Sequence, residues 1–296
     1  MKFGKVDNPG AIDFSLPGDD PETAWVLGTN TKGPDFEVYV GCAKWNRTDL
    51  QGFYPKGTKD ELQYYSRQFN CIELNATFYK MPDWKQVETW KHKTPEGFKF
   101  FPKLTNTISH YKRLIEVQSE VETFCNAISN FEDRLGMAFL QVHDNFTPKD
   151  LNRLETTLNH FPAGIPLAVE VRNEQWFANR QVNKRFTTLL EAHSFSNIIV
   201  DTAGRRDMLH MRLTSPVAFV RFVGANHPTD INRLNDWIGR IKKWRNEGLQ
   251  KLYFFVHQNV ELDSPLLAAH FIRSMNETFG LSLKIPDKAG EQGTLF

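Results

Sequence analysis

Short apolar runs alternate along the chain with longer segments in which apolar residues recur at helical spacing. Eight of the runs predict buried strands, because parallel strands that are covered on both faces have nearly continuous apolar sequence. They comprise residues 38–43, 72–75, 98–103, 137–142, 167–172, 197–201, 218–223 and 251–257. Eight strands, each followed by a segment of helical length, predict an α/β protein with a single closed (β/α)8 barrel of the TIM type.

Helical periodicity is clearest in two of the intervening segments. Apolar residues recur at every third or fourth position in residues 114–131 and again in residues 231–241, which is the stripe of an amphipathic helix. Helix starts are predicted at Thr147 and Asp263, where a capping residue stands one or two positions before a proline.

The barrel is expected to span residues 38–285, close to the roughly 250 residues that such a barrel requires. The preceding residues 1–37 are rich in proline and glycine and predict an irregular extension that lies against the barrel. Residues 286–296 predict a short flexible tail. An open doubly wound sheet is the main alternative, but no glycine-rich phosphate loop follows the first predicted strand.

Composition limits the partners and the compartment. The chain of 296 residues has 36 basic and 35 acidic side chains, which gives a formal net charge of +1. This balance argues against a surface that binds nucleic acid or membranes over its whole extent, and it leaves room for a local basic groove. Three scattered cysteines predict neither a disulfide framework nor a cysteine zinc site. Without a signal-like or membrane-spanning apolar stretch, a cytoplasmic protein is expected.

Several predicted strands end in charged or amide residues. Because side chains alternate between the two faces of a strand, Glu73 and Asn75 share one face, and Glu170 and Arg172 share a face of another strand. The outer face of a barrel strand packs against helices, so these side chains are expected to point inward, at the strand ends where barrel enzymes have their active sites. Similar terminal positions are occupied by Lys103, Gln141, Asp201, Arg221 and His257.

Two interpretations of this polar cluster stay open. Three inward basic residues face three acidic ones, so the cluster can be a neutral structural plug of ion pairs. A ligand-binding site is favoured, because fully buried ion pairs contribute little to stability. The basic members are Lys103, Arg172 and Arg221, and the acidic members are Glu73, Glu170 and Asp201.

The favoured function is the binding or hydrolysis of an anionic substrate, either a phosphate ester or a nucleic-acid backbone. Guanidinium groups bind phosphate through paired hydrogen bonds, so arginines of the cluster are suited to hold such a ligand. The predicted binding residues are Asn75, Lys103, Arg172 and Arg221, with aromatic platforms at Trp45, Tyr79 and Trp176. The predicted catalytic residues are Glu73 and Glu170 as general acid and base and His110 for proton transfer.

Two alternatives invoke other chemistry at the same site. Glu73 and Glu170 can be the carboxylate pair of a glycoside hydrolase, with tryptophans stacking on sugar rings. A divalent metal held by carboxylates is conceivable but not favoured, because the chain has no local ligand motif such as HxxxH. No cofactor is assigned.

The end of the chain suggests a function of a different class. The last five residues, QGTLF, resemble the glutamine-x-x-leucine-phenylalanine peptide by which bacterial proteins dock on the replicative sliding clamp. Leu295 and Phe296 would enter an apolar pocket while Gln292 forms a hydrogen bond at its rim. The alternative is that these two apolar residues pack back on the body of the protein.

Motifs along most of the chain resemble the YecE-like family, a domain of unknown function numbered seventy-two. They are GCAKW at residues 41–45, FNCIELNATFY at 69–79, the Glu-x-Arg…Trp element at 170–176, and Arg221 with Gly224. The resemblance runs from about residue 38 to residue 276 and implies a TIM-type barrel, without an established reaction. His143 and Asp144 stand where the family usually has a pair of prolines.

Overall fold

The computed structural model describes residues 4–29 and 35–287 and contains all eight predicted strands close to their expected positions. They are β1 (Glu37–Cys42), β2 (Cys71–Leu74), β3 (Lys99–Pro102), β4 (Ala138–Gln141), β5 (Leu167–Glu170), β6 (Ser196–Asp201), β7 (Val217–Gly224) and β8 (Lys251–Gln258). All paired strands run parallel, so their carboxyl ends lie on the same side of the molecule.

Helices cover the outside of the strands. They are α1 (Pro21–Gly28), α2 (Glu61–Tyr65), α3 (Ala76–Tyr79), α4 (Trp84–Lys93), α5 (Gln118–Ile128), α6 (Leu151–Asn159), α7 (Arg180–Ala192), α8 (Thr229–Glu247) and α9 (Ser264–Phe279). The two segments with the clearest helical periodicity form α5 and α8. The predicted helix starts are confirmed, since Thr147 forms a capping box before a short 3-10 turn that leads into α6, and α9 begins directly after Asp263.

The prediction of a closed eight-stranded barrel is wrong. The strands form two separate hydrogen-bonded sheets, a curled six-stranded sheet in the order β1-β8-β7-β6-β5-β4 and a two-stranded sheet of β2 and β3. The backbone ladder is therefore interrupted twice, between β1 and β2 and between β3 and β4. The larger sheet is an open half-barrel.

The β3–β4 interruption follows from a proline. Amides at alternate residues of β3 point toward β4, and Pro102 occupies one of these positions without an N–H group to donate. The remaining backbone hydrogen bonds across this gap run from Gly136 to the Phe100 carbonyl at 2.8 Å and from Leu104 to the Phe139 carbonyl at 2.9 Å. Two isolated bonds do not make a ladder.

Side chains replace the backbone ladder between β1 and β2. The Asn70 side chain accepts a hydrogen bond from the Val40 N–H at 2.9 Å and donates one to the Val38 carbonyl at 2.8 Å. Its amide thus mimics the peptide group of a neighbouring strand and satisfies backbone groups that have no ladder partner on this edge of β1.

The same gap is also bridged by a tyrosine and narrowed by a glycine. The Tyr65 hydroxyl accepts a hydrogen bond from the Cys42 N–H at 2.7 Å and donates one to the Cys71 carbonyl at 3.1 Å. Gly41 lies so close to β2 that a Cβ there would collide with that carbonyl. The chains approach closely here without pairing.

The described part of the N-terminal extension contains a helix and contacts α8. α1 begins after Asp20, whose side chain accepts a hydrogen bond from the Glu22 N–H at 2.9 Å. Asp19 holds the extension to α8 by accepting a hydrogen bond from the Trp244 indole at 3.1 Å and by pairing with Lys243 at 2.6 Å. This part of the extension is therefore fixed by a capped helix and by a half-buried aspartate.

Two apolar clusters form the core, one on each face of the strands. The outer cluster packs the strands against the helices, and the inner cluster fills the space enclosed by the two sheets. The inner residues are Cys71, Phe101, Met137, Phe139, Ala168, Ile198, Val200, Met208, Phe219, Tyr253 and Phe255. The enclosed space is therefore packed with side chains at this level.

Gln292, Leu295 and Phe296 of the C-terminal motif lie outside the described residues. Within residues 4–29 and 35–287, no helix combines the length and the apolar character needed to cross a membrane.

The side-chain bridge between β1 and β2 is testable by replacing Asn70 with alanine. The change removes two hydrogen bonds and leaves the Val40 N–H without its partner, so we expect the free energy of unfolding to fall by roughly 2–4 kcal/mol in urea denaturation. The control is Asn152→Ala on the exposed face of α6, which should change it by less than about 0.5 kcal/mol. Equal stability of the two variants would contradict a structural role for the bridge.

Candidate functional site

Six buried polar side chains form a layer at the carboxyl ends of the strands, directly above the inner apolar cluster. Each stands two positions after a member of that cluster, so strand alternation turns it toward the same enclosed space. The pairs are Cys71 and Glu73, Phe101 and Lys103, Phe139 and Gln141, Ala168 and Glu170, Phe219 and Arg221, and Phe255 and His257. We call these six polar residues the inner polar layer.

Arg221 lies at the centre of the inner polar layer. Its Nε and Nη2 donate to the two oxygens of Glu73, each at 2.9 Å, and its Nη1 donates to Glu170 Oε2 at 2.6 Å. The contact with Glu73 is the bidentate pairing for which a guanidinium is suited. One side chain of β7 therefore binds carboxylates of β2 and β5.

Glu73 is fully used as an acceptor. Besides the two bonds from Arg221, its Oε1 accepts a hydrogen bond from Asn75 Nδ2 at 2.8 Å, and its Oε2 lies 2.9 Å from His257 Nε2. Burial acts to raise the pKa of this carboxyl, but Arg221 and His257 together outweigh burial and hold the pKa well below its ordinary value. Glu73 is thus a charged anchor for its neighbours.

Glu170 has a similar environment. Its Oε1 accepts a hydrogen bond from Arg172 Nε at 2.5 Å, and its other oxygen is held by Arg221. Burial opposes ionisation here too, but Arg172 and Arg221 prevail and lower the pKa of Glu170 to about 2. Both predicted acid–base carboxylates are therefore ionised and paired with arginine at neutral pH.

Asp201 does not belong to this cluster, contrary to the expectation that it points inward. It follows Val200 of the inner cluster by one residue, so it lies on the opposite, helix-facing side of β6. There it accepts hydrogen bonds from Arg233 and from the Trp237 indole, both at 2.8 Å, and it also pairs with Arg206. These contacts are structural.

Because Asp201 lies on the outer face of β6, the charge balance of the inner site differs from the one counted in the sequence. Three basic residues, Lys103, Arg172 and Arg221, face two buried carboxylates, and the exposed Asp144 lies 4.0 Å from Arg172 Nη1 as a third acidic group. Within the two described ranges, Lys103 forms no ion pair. Lys103 is therefore the basic residue of the inner site that lacks an acidic partner among the described residues.

Lys103 has an environment that disfavours its charge. Its Nζ donates to the neutral Gln141 Oε1 at 2.8 Å and lies 4.1 Å from the centre of the Phe78 ring. Burial, with Arg221 and Arg172 nearby, lowers the pKa of Lys103 to about 7. The residue as a whole is 7% exposed, so Lys103 is nearly enclosed by its neighbours.

His110 lies beside Lys103, because the His110 ring and the Lys103 amine both contact the ring of Phe78. The His110 ring is 4.9 Å from that of Phe78 and 5.2 Å from that of His143. Burial and the charge of Lys103 lower the pKa of His110 to about 4, so the imidazole is neutral at pH 7.

The hydrogen bonds of His110 indicate its tautomer. Ser109 Oγ donates its one hydrogen to the Thr105 carbonyl at 2.9 Å and lies 2.9 Å from His110 Nδ1. Because Ser109 can then only accept from the ring, Nδ1 carries the proton and Nε2 carries the lone pair. His110 is therefore able to accept a proton at Nε2.

An unusual backbone presents His110. Residues Thr107–Tyr111 form a π-helical turn, a geometry found mostly at functional sites. Arg113, Leu114 and Glu116 then adopt left-handed φ angles of 50°, 62° and 48°. Such conformations are costly for residues other than glycine and are concentrated at binding and catalytic sites.

The three predicted aromatic platforms have different environments. Trp176 is fully buried, donates to the Phe146 carbonyl at 2.8 Å, and presents no ring face to a ligand. Trp45 packs edge-on against Trp90 at 6.2 Å. Tyr79 is 75% exposed, and its ring lies 5.1 Å from that of Phe78. Of the three, Tyr79 alone combines an exposed ring with contact to the site.

Four residues beside the predicted ones complete the site. Gln141 and His257 were recognisable as polar residues at strand ends, and their spacing from inner apolar residues places them in the layer. Phe78 and His143 gave no such signal, because Phe78 lies in the short helix α3 and His143 in the loop after β4, where strand alternation does not assign a face. Among the described residues, no group of three or more His, Cys, Asp or Glu side chains is arranged to hold a metal ion.

The ionised state of Glu170 is testable through the pH dependence of stability. Its pKa falls from an ordinary 4.5 to about 2 on folding, so its contribution is present above pH 4.5 and is lost as the pH falls toward 2. This loss should be on the order of 3 kcal/mol. In Glu170→Gln, unfolding free energies measured by urea denaturation should be lower at neutral pH and should decline less in acid.

The matched control for this change is Glu155→Gln on the exposed face of α6, which should keep the acid dependence of the wild type. An acid-induced loss in Glu170→Gln as large as that of the wild type would show that Glu170 is not ionised in the folded protein.

Comparisons with known proteins agree with the resemblance found in the motifs. Residues 39–290 match the family model described as "Protein of unknown function DUF72". The UPF0759 protein YecE of Escherichia coli is 28% identical over 242 residues, which cover 74% of this chain and 86% of that protein. The UPF0759 protein YunF of Bacillus subtilis is 30% identical over 150 residues, which cover 48% of this chain and 52% of YunF.

A solved structure supports the fold. The crystal structure of a DUF72 family protein from Enterococcus faecalis superposes with a TM-score of 0.65 at 18% identity, and the match covers 83% of this chain and 99% of that protein. Because the family model matches most of the sequence, from the first strand to beyond the last helix, the chain belongs to the DUF72 family of proteins of unknown function.

Proposed function

We propose that the protein binds a phosphate ester at the carboxyl ends of its strands and promotes its hydrolysis. The observation that carries the proposal is Lys103, which is buried at the inner site without a carboxylate partner among the described residues. A buried cation without a counter-ion is costly, and an anionic ligand would remove this cost.

The carboxylates have a supporting role in this proposal. Glu73 holds Arg221 through two hydrogen bonds, and Glu170 holds both Arg221 and Arg172. This pairing fixes the guanidinium groups before a ligand arrives, which reduces the entropy that binding would otherwise cost.

The glycoside hydrolase alternative is not favoured by these environments. A glycosidase needs one carboxylic acid that stays protonated near neutral pH, with a raised pKa. The pKa values of Glu73 and Glu170 are both lowered, and arginine occupies the oxygens of both groups.

His110 supplies the acid–base chemistry of the proposal. In the proposal, the Nε2 lone pair accepts a proton from a water molecule whose oxygen bonds to the phosphorus, and the bond from phosphorus to the ester oxygen breaks. The alcohol leaves as an alkoxide that takes up a proton from solvent water, while the protonated Lys103 stabilises charge on the phosphoryl oxygens. Both groups contact Phe78, so one aromatic ring sets their separation.

Anion binding is testable with sulfate, which keeps the same charge over the pH range of interest. We expect isothermal titration calorimetry to detect sulfate binding at about pH 6 and to show it weakening above about pH 7, where Lys103 loses its proton. The midpoint should lie somewhat higher with sulfate bound, because the ligand stabilises the charged amine. Lys103→Met should reduce the affinity by about tenfold or more and abolish this pH dependence.

The matched control is Lys99→Met, at the amino end of the same strand, whose Nζ donates to the Asp133 carbonyl. It should bind sulfate like the wild type. Unchanged sulfate affinity in Lys103→Met, or no weakening above neutral pH, would contradict the proposed site.

Hydrolysis is testable with p-nitrophenyl phosphate and bis-p-nitrophenyl phosphate. The expected profile of kcat/KM is bell-shaped, rising through about pH 4 as His110 becomes neutral and falling through about pH 7 as Lys103 loses its charge. His110→Gln should reduce kcat by about 100-fold or more and remove the acid limb. Sulfate should still bind to this variant. Loss of activity with unchanged sulfate affinity would distinguish the role of His110 in proton transfer from the role of the other residues in anion binding.

A further inference from the structure

Two exposed tyrosines border the inner site at its surface. Tyr79 and Tyr111 are 75% and 76% exposed, although tyrosine normally buries much of its ring. The described part of the chain exposes four large aromatic side chains. Three of them lie in the segments that follow β2 and β3, namely Tyr79, Trp84 and Tyr111. Exposed aromatic residues concentrated in one region indicate a binding surface.

Tyr79 is connected to the anion site by a direct contact, and Tyr111 by its position next to His110 in the chain. Tyr79 follows Phe78, and the two rings pack at an angle of 86° with 5.1 Å between their centres. Tyr111 follows His110, and the His110 ring contacts Phe78 at 4.9 Å. Because Phe78 also contacts the Lys103 amine, one side chain lies between Tyr79 and this buried cation. We call Tyr79 and Tyr111 the tyrosine pair.

The backbone around Tyr111 maintains its exposure. Tyr111 ends the π-helical turn and is followed by the left-handed Arg113 and Leu114, and Leu114 is buried in the core. The left-handed residues Arg113 and Leu114 follow the exposed Tyr111, and the chain turns inward to bury Leu114. These conformations are energetically costly, and they occur in the loop that carries His110 and Tyr111.

Positive charge accompanies the tyrosine pair. Lys80 directly follows Tyr79, and Arg113 is two residues after Tyr111; both are exposed and form no ion pair within residues 4–29 and 35–287. Exposed ring faces alternating with cations are the composition of surfaces that bind single-stranded nucleic acid, where bases stack and phosphates are neutralised.

We propose that the tyrosine pair stacks the bases of a single-stranded nucleic acid while one of its phosphates occupies the inner site. The inference rests on the proposed phosphate-ester function and names its substrate class. Lys103 and Arg221 are 7% and 6% exposed, so the phosphate must enter a narrow recess. A flexible single strand or its end can reach these groups, whereas the rigid backbone of a duplex stays at the surface.

The inference is testable by fluorescence anisotropy with a labelled oligothymidine and the full-length protein at constant salt. Alanine at Tyr79 or Tyr111 should weaken binding by at least about fivefold for each ring, because base stacking is lost. Trp25→Ala is the matched control, since Trp25 is 68% exposed on α1 and belongs to the N-terminal extension. Its affinity should equal that of the wild type.

Sulfate titrations of the same variants distinguish this inference from the proposed function. Tyr79→Ala and Tyr111→Ala should bind sulfate normally, because neither side chain belongs to the inner polar layer. Sulfate binding without oligothymidine binding would overturn the nucleic-acid inference and leave the phosphate-ester proposal standing. The nucleic-acid inference would also be overturned if a duplex bound as tightly as oligothymidine, or if neither tyrosine change altered the affinity for oligothymidine. If the wild-type protein did not bind sulfate, both the phosphate-ester proposal and the nucleic-acid inference would be contradicted.

Discussion

The guanidinium of Arg221 joins two buried carboxylates that belong to different sheets. Glu73 comes from the two-stranded sheet, and Glu170 and Arg221 come from the six-stranded one. With the contact between His257 and Glu73, these bonds connect the sheets where the backbone ladder is interrupted. Removing Arg221 would leave two buried negative charges adjacent to each other, which is among the most destabilising changes in proteins.

The same interaction determines what chemistry the site can perform. Because both glutamates are ionised by their arginine partners, neither can serve as an acid near neutral pH. Lys103 and His110 lie next to each other on Phe78, and their pKa values are lowered to about 7 and about 4. In the proposed function, Lys103 binds the anion and His110 accepts a proton, while the arginine bridge holds the carboxylates in place.

The strands and the polar strand ends could be predicted because they depend on local pattern. Glu73 and Glu170 alternate with apolar neighbours, so a period of two assigns their faces directly. Asp201 could not be assigned in this way, because Ile198, Ile199 and Val200 are all apolar and fit either face. Its position on the helix-facing side removes one of the three carboxylates counted in the sequence, and Lys103 has no acidic partner among the described residues.

The sequence by itself determined the parallel α/β class, the order of the elements and the identity of most polar residues at the strand ends. These follow from apolar periodicity and capping residues, which act over a few neighbouring positions. Only the tertiary structure decided that the sheet stays open and that His110 lies beside Lys103. Both depend on how segments far apart in the chain meet, through Pro102 at one gap, Asn70 at the other, and a strained loop after β3.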